Sequence, residues 1–255
     1  MSSFTVILNT YNQSKYFPYV FDALRKQTHK DFEVIVTDDG STDNPQKWLD
    51  ENPQPFNVRY FTQPHEGMRL AKIQNVGIGE AKNDYIVHVM ADSVPDEKLL
   101  EEYNNVMHDG AVGSGLRVYV KEARNVEDIK KPDNFIKDDW RKPALPSIGM
   151  VTNPWSRFTG NNLCISKVNY ERVKAVHGHY WNEKYIGYGL EDFELAICLY
   201  QQNVEFIPCM DAFIYHIDHT ERVESKNNQA LFDKKISDLY GIKVEDLKRA
   251  YGEET

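Results

Sequence analysis

The sequence predicts an α/β fold in which a mainly parallel sheet, flanked by helices, continues into a second half and a helical C-terminal tail. Strand-like and helix-like segments alternate over the first 95 residues, which is typical of a parallel sheet with right-handed crossovers. The first strand-like segment, residues 4–8, is almost wholly apolar, as expected when both faces of a strand are covered. Together these observations indicate a sheet buried between helices.

The elements of the first half follow from the spacing of apolar residues. A helix with Pro18 near its start follows the first strand, because Val20, Phe21 and Leu24 fall on one side of it. The next predicted elements are a strand at 32–36, a helix at 46–51, a strand at 58–61, a helix at 70–81 and a strand at 85–89. Polar clusters follow three of the strands, at 9–12, 38–43 and 92–93. Because ligands of such sheets bind beyond the carboxyl ends of the strands, these clusters predict a site.

The pattern changes after Pro95. The predicted elements there are a helix at 96–108, a strand at 111–120, a strand at 162–165, a helix at 167–176, a helix from Glu191, strands at 205–207 and 212–215, and a helical tail from 227 to 251. Residues 121–157 are charged, rich in proline and aromatics, and weakly periodic, so we expect an extended excursion or lid. No repeat or low-complexity linker is present, which favours one continuous sheet divided into halves at 1–95 and 96–217, followed by a tail at 218–255.

The charge and cysteine content exclude several classes of protein. The formal net charge of −9 argues against a nucleic-acid-binding protein, because phosphate contacts need a basic surface. Cys164, Cys198 and Cys209 are too few and too irregularly spaced for a disulfide framework or a zinc site, and they favour a reducing compartment. We recognise no secretory leader and no apolar run near the roughly 20 residues of a membrane span. The expected location is the cytoplasm, without a transmembrane segment.

Two acidic residues follow a glycine turn in the segment 187–195. Glu191 and Asp192 stand where an amphipathic helix begins, since the apolar residues after them recur at helical spacing. Backbone N–H groups without a helical partner favour negative charge in a first turn. A carboxylate held there suits a general base that takes a proton from a hydroxyl. Ordinary helix-start chemistry is the alternative, because acidic residues are common in first turns.

Several segments resemble family 2 glycosyltransferases with the GT-A fold. The opening of that family is similar to Val-Ile-Leu-Asn-Thr-Tyr-Asn at 6–12, Gln27-Thr28, and Phe-Glu-Val-Ile-Val-Thr-Asp-Asp-Gly-Ser-Thr-Asp at 32–43. The segment 160–166, followed by 187–195, resembles the acceptor half of galactosyltransferase-like and chondroitin-polymerase-like members. The resemblance covers most of 4–95 and 158–217 and leaves 121–157 uncovered. It implies a Rossmann-like nucleotide-sugar-binding half at 1–95 and an acceptor-binding, catalytic half at 96–217.

The resemblance assigns the donor nucleotide to the first strand ends. It implies that Asp39 accepts the imide N–H of uracil, an otherwise unpaired polar group, and that Tyr11 stacks on the base. Thr10 and Asn12 shape the same pocket. The alternative for Asp-Asp-Gly-Ser is a turn whose side chains cap their own backbone.

A divalent cation, Mn²⁺ or Mg²⁺, is the implied cofactor. Residues 90–92 occupy the position of the family's Asp-x-Asp motif, but Met90 stands where its first aspartate usually lies, so Asp92 is the available carboxylate for donor and metal. The strand end at 213–219 resembles the histidine-bearing end that completes the metal site, and His216 is the better ligand there, ahead of Asp218 and His219. A structural histidine and a strand-end aspartate are the alternatives. Arg69 and Lys72 are left without an assigned role.

Amides, aromatics and carboxylates suit a saccharide acceptor, because sugar rings present apolar faces and hydroxyl rims. The expected acceptor residues are Asn161, Asn162, Trp181, Tyr185, Tyr188 and Glu191. Burial of Trp181 and Tyr185 in the core is the alternative, since aromatics are often buried. Asp192 is the expected catalytic base, and Glu191 orients the acceptor hydroxyl.

The predicted function is therefore metal-dependent, inverting transfer of a sugar from a nucleotide-sugar, a UDP-sugar, to an acceptor hydroxyl. Three alternatives stay open at this point. They are a retaining transferase of the polypeptide N-acetylgalactosamine type, a nucleotidyltransferase, and a non-catalytic module that binds a saccharide or nucleotide and has lost its metal site. Met90 favours the last of these, whereas the absence of a glycine-rich basic loop near Asn9 disfavours the second.

Overall fold

Nine strands of the computed structural model form one sheet among the described residues, which are 2–121, 125–150, 153–158, 160–218 and 226–240. The strands are β1 (Phe4–Thr10), β2 (Phe32–Asp38), β3 (Val58–Thr62), β4 (Tyr85–Met90), β5 (Ser93–Pro95), β6 (Ala111–Val120), β7 (Phe135–Asp138), β8 (Leu163–Ser166) and β9 (Glu205–Ile217). The helices are α1 (Phe17–Arg25), α2 (Pro45–Glu51), α3 (Leu70–Glu80), α4 (Leu99–Val106), α5 (Val126–Ile129), α6 (Lys167–His177), α7 (Glu191–Gln201) and α8 (Lys226–Tyr240). The strand order is β3-β2-β1-β4-β8-β6-β9-β5, with β7 paired to β6. The predicted α/β fold and continuous sheet are confirmed.

The first half is the parallel part of the sheet, because β3, β2, β1 and β4 pair in the same direction. Alternate residues of β1 face two different cores, as the two-residue period of a strand requires. Phe4, Val6 and Leu8 pack with α1, whereas Ile7 packs with α3. Burial on both faces explains the apolar runs in these strands. Parallel pairing places the carboxyl ends of β1, β2 and β4 at one edge of the sheet.

The second half joins through β8, which pairs antiparallel with both β4 and β6. The sequence predicted two strands at 205–207 and 212–215, but β9 is one strand of 13 residues. Its pairing with β6 shifts between Gly115 and Leu116, and the Asn162 amide donates hydrogen bonds of 2.9 Å to the carbonyls of Leu116 and Ala212 at that shift. The local irregularity explains why the pattern was interrupted.

The excursion predicted at 121–157 has more structure than its weak periodicity indicated. It contains α5 and the exposed strand β7, which pairs antiparallel with β6. A buried ion pair between Asp139 and Arg141 fastens the segment after β7 to β6, with 2.6 Å between Arg141 Nη2 and Asp139 Oδ2. Isolated buried residues such as Ile129 and Leu145, together with this ion pair, anchor the segment without a periodic apolar stripe.

The helical tail predicted from 227 to 251 is described as α8, and residues 241–255 lie outside the described part of the chain. Asn228 of α8 is buried and contacts the turn before α7: it accepts the backbone N–H of Ile186 and donates to the carbonyl of Gly189. Within the described ranges, no helix has the length and apolar character that crossing a membrane requires. The three cysteines are buried and unpaired.

Candidate active site

Asn12 joins the loops that follow β1 and β2. Its backbone has a φ of 52°, and its side-chain oxygen accepts hydrogen bonds from the backbone N–H of Thr42 at 2.8 Å and from the Thr42 hydroxyl at 3.1 Å. Its own N–H donates to Ser41 Oγ at 2.8 Å. Asn12 is therefore engaged in positioning the two loops. Neighbouring Thr10 is buried, and its hydroxyl has no hydrogen-bond partner among the described residues.

The two neighbouring aspartates at the end of β2 have different surroundings. Asp38 accepts hydrogen bonds from the hydroxyls of Ser41 at 2.5 Å and Tyr60 at 2.6 Å, and from the Ser41 N–H at 3.0 Å. Asp38 therefore closes the turn, as the capping alternative predicted for this segment. That alternative does not extend to Asp39, because its carboxylate is hydrogen-bonded to Gln63 and Arg69 and not to the turn.

Asp39 lies beside an aromatic pair. Its carboxylate accepts hydrogen bonds from Gln63 Nε2 at 2.5 Å and from the backbone N–H of Arg69 at 3.0 Å, and it lies 3.3 Å from His65 Nδ1. The His65 ring stacks on Tyr11, with 4.1 Å between centroids and 13° between planes. Tyr11 remains 40% exposed. The fold thus brings together Tyr11 and Asp39, and adds His65, which the sequence analysis missed.

Asp92 and His216 meet because β5 pairs antiparallel with β9, which sets Ser93 opposite His216. Asp92 Oδ1 lies 3.2 Å from His216 Nδ1, and the Ser93 hydroxyl contacts both, at 3.0 Å and 3.1 Å. Gln13 Nε2 donates to the other oxygen of Asp92 at 3.0 Å. The strand β5 was not predicted, so its contact with β9 could not be anticipated. Asp218 is exposed, and His219 lies outside the described residues.

The turn before α7 places the acid pair. Gly187, Gly189 and Leu190 have φ values of 90°, 98° and 75°, and the Gly187 N–H donates to the Met68 carbonyl at 2.8 Å. This hydrogen bond joins the turn to the first half of the chain. Positive φ explains the two glycines, because other residues adopt it at a cost. The turn ends at Glu191, where α7 begins.

Asp192 is held by backbone N–H groups. One carboxylate oxygen accepts from Gly160 at 2.7 Å, and the other accepts from Phe193 at 2.8 Å. A Cβ on residue 160 would lie 3.2 Å from Asp192 Cβ and 3.3 Å from the Trp181 ring. Glycine at 160 therefore permits this close approach.

The two carboxyl groups have raised pKa values. Burial raises the pKa of Glu191 to about 8, and the charge of Asp192 adds to the rise. Burial also raises the pKa of Asp192, but the N–H groups of Gly160 and Phe193 and the charge of Arg117 oppose it. A pKa of about 8 keeps a proton on Glu191 at neutral pH, whereas the two backbone N–H groups and the charge of Arg117 favour the ionised form of Asp192. An ionised, partly desolvated aspartate is suited to accept a proton.

Gly160 and Asn161 connect the two parts of the site. Asn161 Nδ2 donates to Ser93 Oγ at 2.8 Å, beside Asp92 and His216, while Gly160 donates to Asp192. Successive Cα atoms are about 3.8 Å apart across a trans peptide. Asp192 therefore contacts this dipeptide directly through Gly160, and Asp92 and His216 are joined to its other residue, Asn161, through the Ser93 hydroxyl.

The predicted acceptor residues divide into buried and exposed groups. Trp181 is 1% exposed, and its indole N–H donates to Tyr170 OH at 3.3 Å; Tyr185 is also buried. The expectation that Trp181 contacts a sugar is thus not supported, because packing against Gly160 and Tyr170 covers the ring. Tyr188 is 42% exposed on the glycine turn and is accessible to an acceptor. Asn161 and Asn162 hydrogen-bond within the protein.

Replacing Glu191 with glutamine is expected to stabilise the protein above neutral pH. The pKa of Glu191 is higher in the folded state than its ordinary value of 4.5, so the contribution of this group to stability is fully present below pH 4.5 and is lost as pH rises through about 8. The neutral glutamine removes that loss, which exceeds about 1 kcal/mol because one pKa unit corresponds to 1.36 kcal/mol. Urea unfolding at pH 4 and pH 9 measures it. If the free energy of unfolding differed between the variant and the wild type by the same amount at pH 4 and pH 9, the raised pKa of Glu191 would be contradicted.

Comparison with known proteins supports the same family. The model of "Glycosyl transferase family 2" matches residues 5–158. Chondroitin synthase of Escherichia coli is 24% identical over 270 aligned positions, which cover 92% of this chain and 39% of the relative. Hyaluronan synthase of Pasteurella multocida is 23% identical over 256 positions, which cover 88% of this chain and 26% of the relative. The chain thus spans about two fifths of the length of the chondroitin synthase and about a quarter of the length of the hyaluronan synthase.

A solved structure gives the likeness in three dimensions. S. aureus TarS 1–349 in complex with UDP-GlcNAc superposes with a TM-score of 0.63 at 17% identity, covering 93% of this chain and 65% of that one. At this identity the likeness shows the fold, which is GT-A. The family match covers more than half of the chain and includes the strand ends that carry Tyr11, Asp39 and Asp92. The chain therefore belongs to glycosyltransferase family 2.

Proposed function

We propose that the chain transfers a sugar from a UDP-sugar to an acceptor hydroxyl with inversion of the anomeric configuration, assisted by a divalent cation. The observation that carries the proposal is the position of Gly160–Asn161 between Asp192 and the Asp92–His216 pair. S. aureus TarS, which has a similar fold, is described in complex with UDP-GlcNAc and with UDP. Residues 1–95 form the donor half in this proposal, and residues 96–217 form the acceptor and catalytic half.

The cation would be held by Asp92 and His216. One carboxylate and one imidazole suit Mn²⁺, which accepts both ligand types, and Mg²⁺ less well. Within the described ranges no group of three or more His, Cys, Asp or Glu residues is arranged for a metal, so diphosphate oxygens of the donor would complete the coordination. When bound, the cation would neutralise negative charge on the departing diphosphate. Met90 contributes its backbone N–H to Asn161 and no carboxylate.

The reaction at the acceptor depends on Asp192. Its carboxylate takes the proton of the acceptor hydroxyl, and the hydroxyl oxygen forms a bond to the anomeric carbon. The bond from that carbon to the diphosphate oxygen breaks, and its electron pair leaves with UDP. Because attack and departure occur on opposite faces, the configuration inverts. Protonated Glu191, adjacent to Asp192, donates a hydrogen bond that orients the acceptor.

UDP binding provides the first test, through a His216→Gln variant. We expect Mn²⁺ to tighten UDP binding to the wild type at least tenfold, and the variant to lose most of that enhancement, because an imidazole ligand is removed. Calorimetric titration with and without Mn²⁺ measures it, and His108→Gln, on the exposed surface, is the matched control. If the affinity of the wild type for UDP were the same with and without Mn²⁺, the result would favour the non-catalytic module. Met90, which replaces a metal-binding aspartate, is the observation that supports this alternative.

Turnover and stereochemistry provide the second part of the test. A panel of UDP-sugars is screened for release of UDP with Mn²⁺ present, since slow hydrolysis requires no knowledge of the acceptor. Proton NMR of a transfer product then gives its anomeric configuration. A product that keeps the donor's configuration would replace the inverting mechanism with a retaining one.

A further inference from the structure

An exposed tryptophan lies between two buried charged residues in the segment after β7. Asp139 and Arg141 are buried, whereas Trp140 is 53% exposed. The other three tryptophans, Trp48, Trp155 and Trp181, are partly or wholly buried. An aromatic side chain held in this position offers a flat apolar face to a ligand.

The buried pair fixes the position of Trp140. Arg141 Nε donates to Asp139 at 3.0 Å, its Nη1 donates to Ser114 Oγ at 2.7 Å, and its Nη2 donates to the Gly115 carbonyl at 2.9 Å. The backbone N–H of Arg117 donates to Asp139 at 3.0 Å. The residues on both sides of Trp140 are thus bound to β6. Burying two charges is costly, and these hydrogen bonds offset that cost.

Arg157 completes the surface. Its guanidinium lies 5.3 Å from the centroid of the Trp140 ring, and its carbonyl accepts a hydrogen bond from Arg141 Nη1 at 3.3 Å. Throughout the described ranges Arg157 makes no ion pair with an acidic side chain. An aromatic surface therefore lies next to a cation whose N–H donors remain available.

This surface lies close to the proposed base. Arg157 precedes Gly160 by three residues, and Gly160 donates to Asp192. An extended chain spans at most about 3.6 Å per residue, so the two Cα atoms are within about 11 Å. Arg117 provides a second connection, because it contacts Asp139 and its charge lowers the pKa of Asp192.

We propose that Trp140 and Arg157 bind a saccharide unit of the acceptor beyond the unit that carries the reacting hydroxyl. The apolar face of a pyranose ring packs on an aromatic side chain, and the guanidinium donates to its hydroxyl or carboxylate oxygens. This assignment rests on the proposed transferase function, since the subsite serves the acceptor that Asp192 deprotonates. It gives the excursion at 121–157 a role in recognising acceptor length.

Oligosaccharides of different length test the subsite. The probes are di- and hexasaccharides of chondroitin and of hyaluronan, with cellohexaose as a neutral probe, and binding is measured by calorimetric titration, which does not depend on Trp140 as a reporter. Trp140→Ala is expected to weaken hexasaccharide binding about tenfold and to leave disaccharide binding within about twofold, because the stacking contact is lost. Val176→Ala, at an exposed apolar position on α6, is the matched control.

An Arg157→Gln variant separates the two sources of affinity. The variant is expected to weaken binding of the acidic hexasaccharides more than binding of cellohexaose, since the guanidinium charge is removed while the aromatic surface remains. Circular dichroism and UDP binding with Mn²⁺ check that both variants keep the fold and the donor site.

Other outcomes overturn the proposal. The subsite would be contradicted if Trp140→Ala weakened binding of di- and hexasaccharides equally, or left the affinity for hexasaccharides unchanged. It would also be contradicted if the wild type bound UDP but none of the oligosaccharides. In each case the transferase proposal would still hold. A dimer that Trp140→Ala converts to a monomer, with no saccharide dependence, would assign the surface to a protein interface. If the wild type turned over none of the UDP-sugars, the proposed transferase function itself would be contradicted.

Discussion

Replacing Asp192 with asparagine is expected to reduce turnover by roughly 10²–10⁴-fold, the usual cost of removing a catalytic acid–base group. Asparagine has nearly the same shape and keeps an oxygen that can accept a backbone N–H, but it cannot take the acceptor proton. UDP binding in the presence of Mn²⁺ should stay within about threefold of the wild type, because Asp92, His216, Tyr11 and Asp39 are unchanged. Steady-state kinetics and calorimetry measure the two quantities.

The matched control is Glu194→Gln, which removes a negative charge from the first turn of the same helix. Glu194 lies 3.3 Å from Lys235 and contacts none of the residues assigned to the donor or cation. Its substitution is expected to leave turnover within about fivefold of the wild type, since it takes part in no proton transfer. If Asp192→Asn were as active as the wild type, Asp192 would have no part in the mechanism.

The pH dependence of kcat/KM gives an independent check on Asp192. The pKa of this carboxyl is raised by burial, so the reactive ionised form disappears as pH falls through a value above the ordinary range of an aspartate. Activity is therefore lost on the acidic side at a higher pH than an exposed aspartate would give. Arg117→Met removes a charge that lowers this pKa, and it should move the acidic limb to higher pH.

Replacing Arg141 with methionine is expected to destabilise the protein by about 3–5 kcal/mol, the cost of leaving a buried charge without its partner. Arg141 and Asp139 are both buried, and the pairing holds the pKa of Asp139 at about 2. Without the guanidinium, Asp139 must be charged in an apolar setting or take up a proton. Urea unfolding at pH 7 measures the loss.

The pH dependence and two further variants test that explanation. The destabilisation should shrink below about pH 4, because Asp139 without its partner becomes protonated there. The double variant Asp139→Asn with Arg141→Met should recover part of the loss, since it removes the unpaired charge. Lys142→Met breaks a neighbouring ion pair whose side chains are about half exposed, and it should cost less than about 1 kcal/mol. Equal losses for Lys142→Met and Arg141→Met would contradict the account.

The parallel half of the fold could be predicted because its signals are local. Residues 4–8 and 32–36 are apolar on both faces, and Asp39 and Tyr11 follow them directly at the edge where ligands bind. Asp192 could be predicted for a similar reason, since glycines and acids at the start of a helix are visible in sequence. The family resemblance then selected Asp39 over Asp38 as the donor-binding residue, and that assignment stays a prediction; the structure shows that Asp38 closes the turn.

The rest depends on contacts between distant segments. β5 has three residues, too few for a periodic pattern, so its pairing with β9 had no local signal. The stacking of His65 on Tyr11 joins residues that are far apart in sequence. Trp181 was ambiguous because a sugar platform and a core position use the same aromatic side chain, and only its burial distinguishes them. Trp140 is the reverse case, an aromatic in a segment without periodicity that the fold leaves exposed.

A crystal structure with UDP and Mn²⁺ would show whether donor, cation and base share one cleft around Gly160–Asn161. We expect manganese bound to Asp92, His216 and diphosphate oxygens, uracil beside Tyr11 and Asp39, and Asp192 facing the space that the sugar would occupy. A cavity of about 610 Å³ lies elsewhere, lined by residues that include Lys82, Lys167 and Arg172. UDP bound in that cavity, or manganese bound away from Asp92 and His216, would contradict the account.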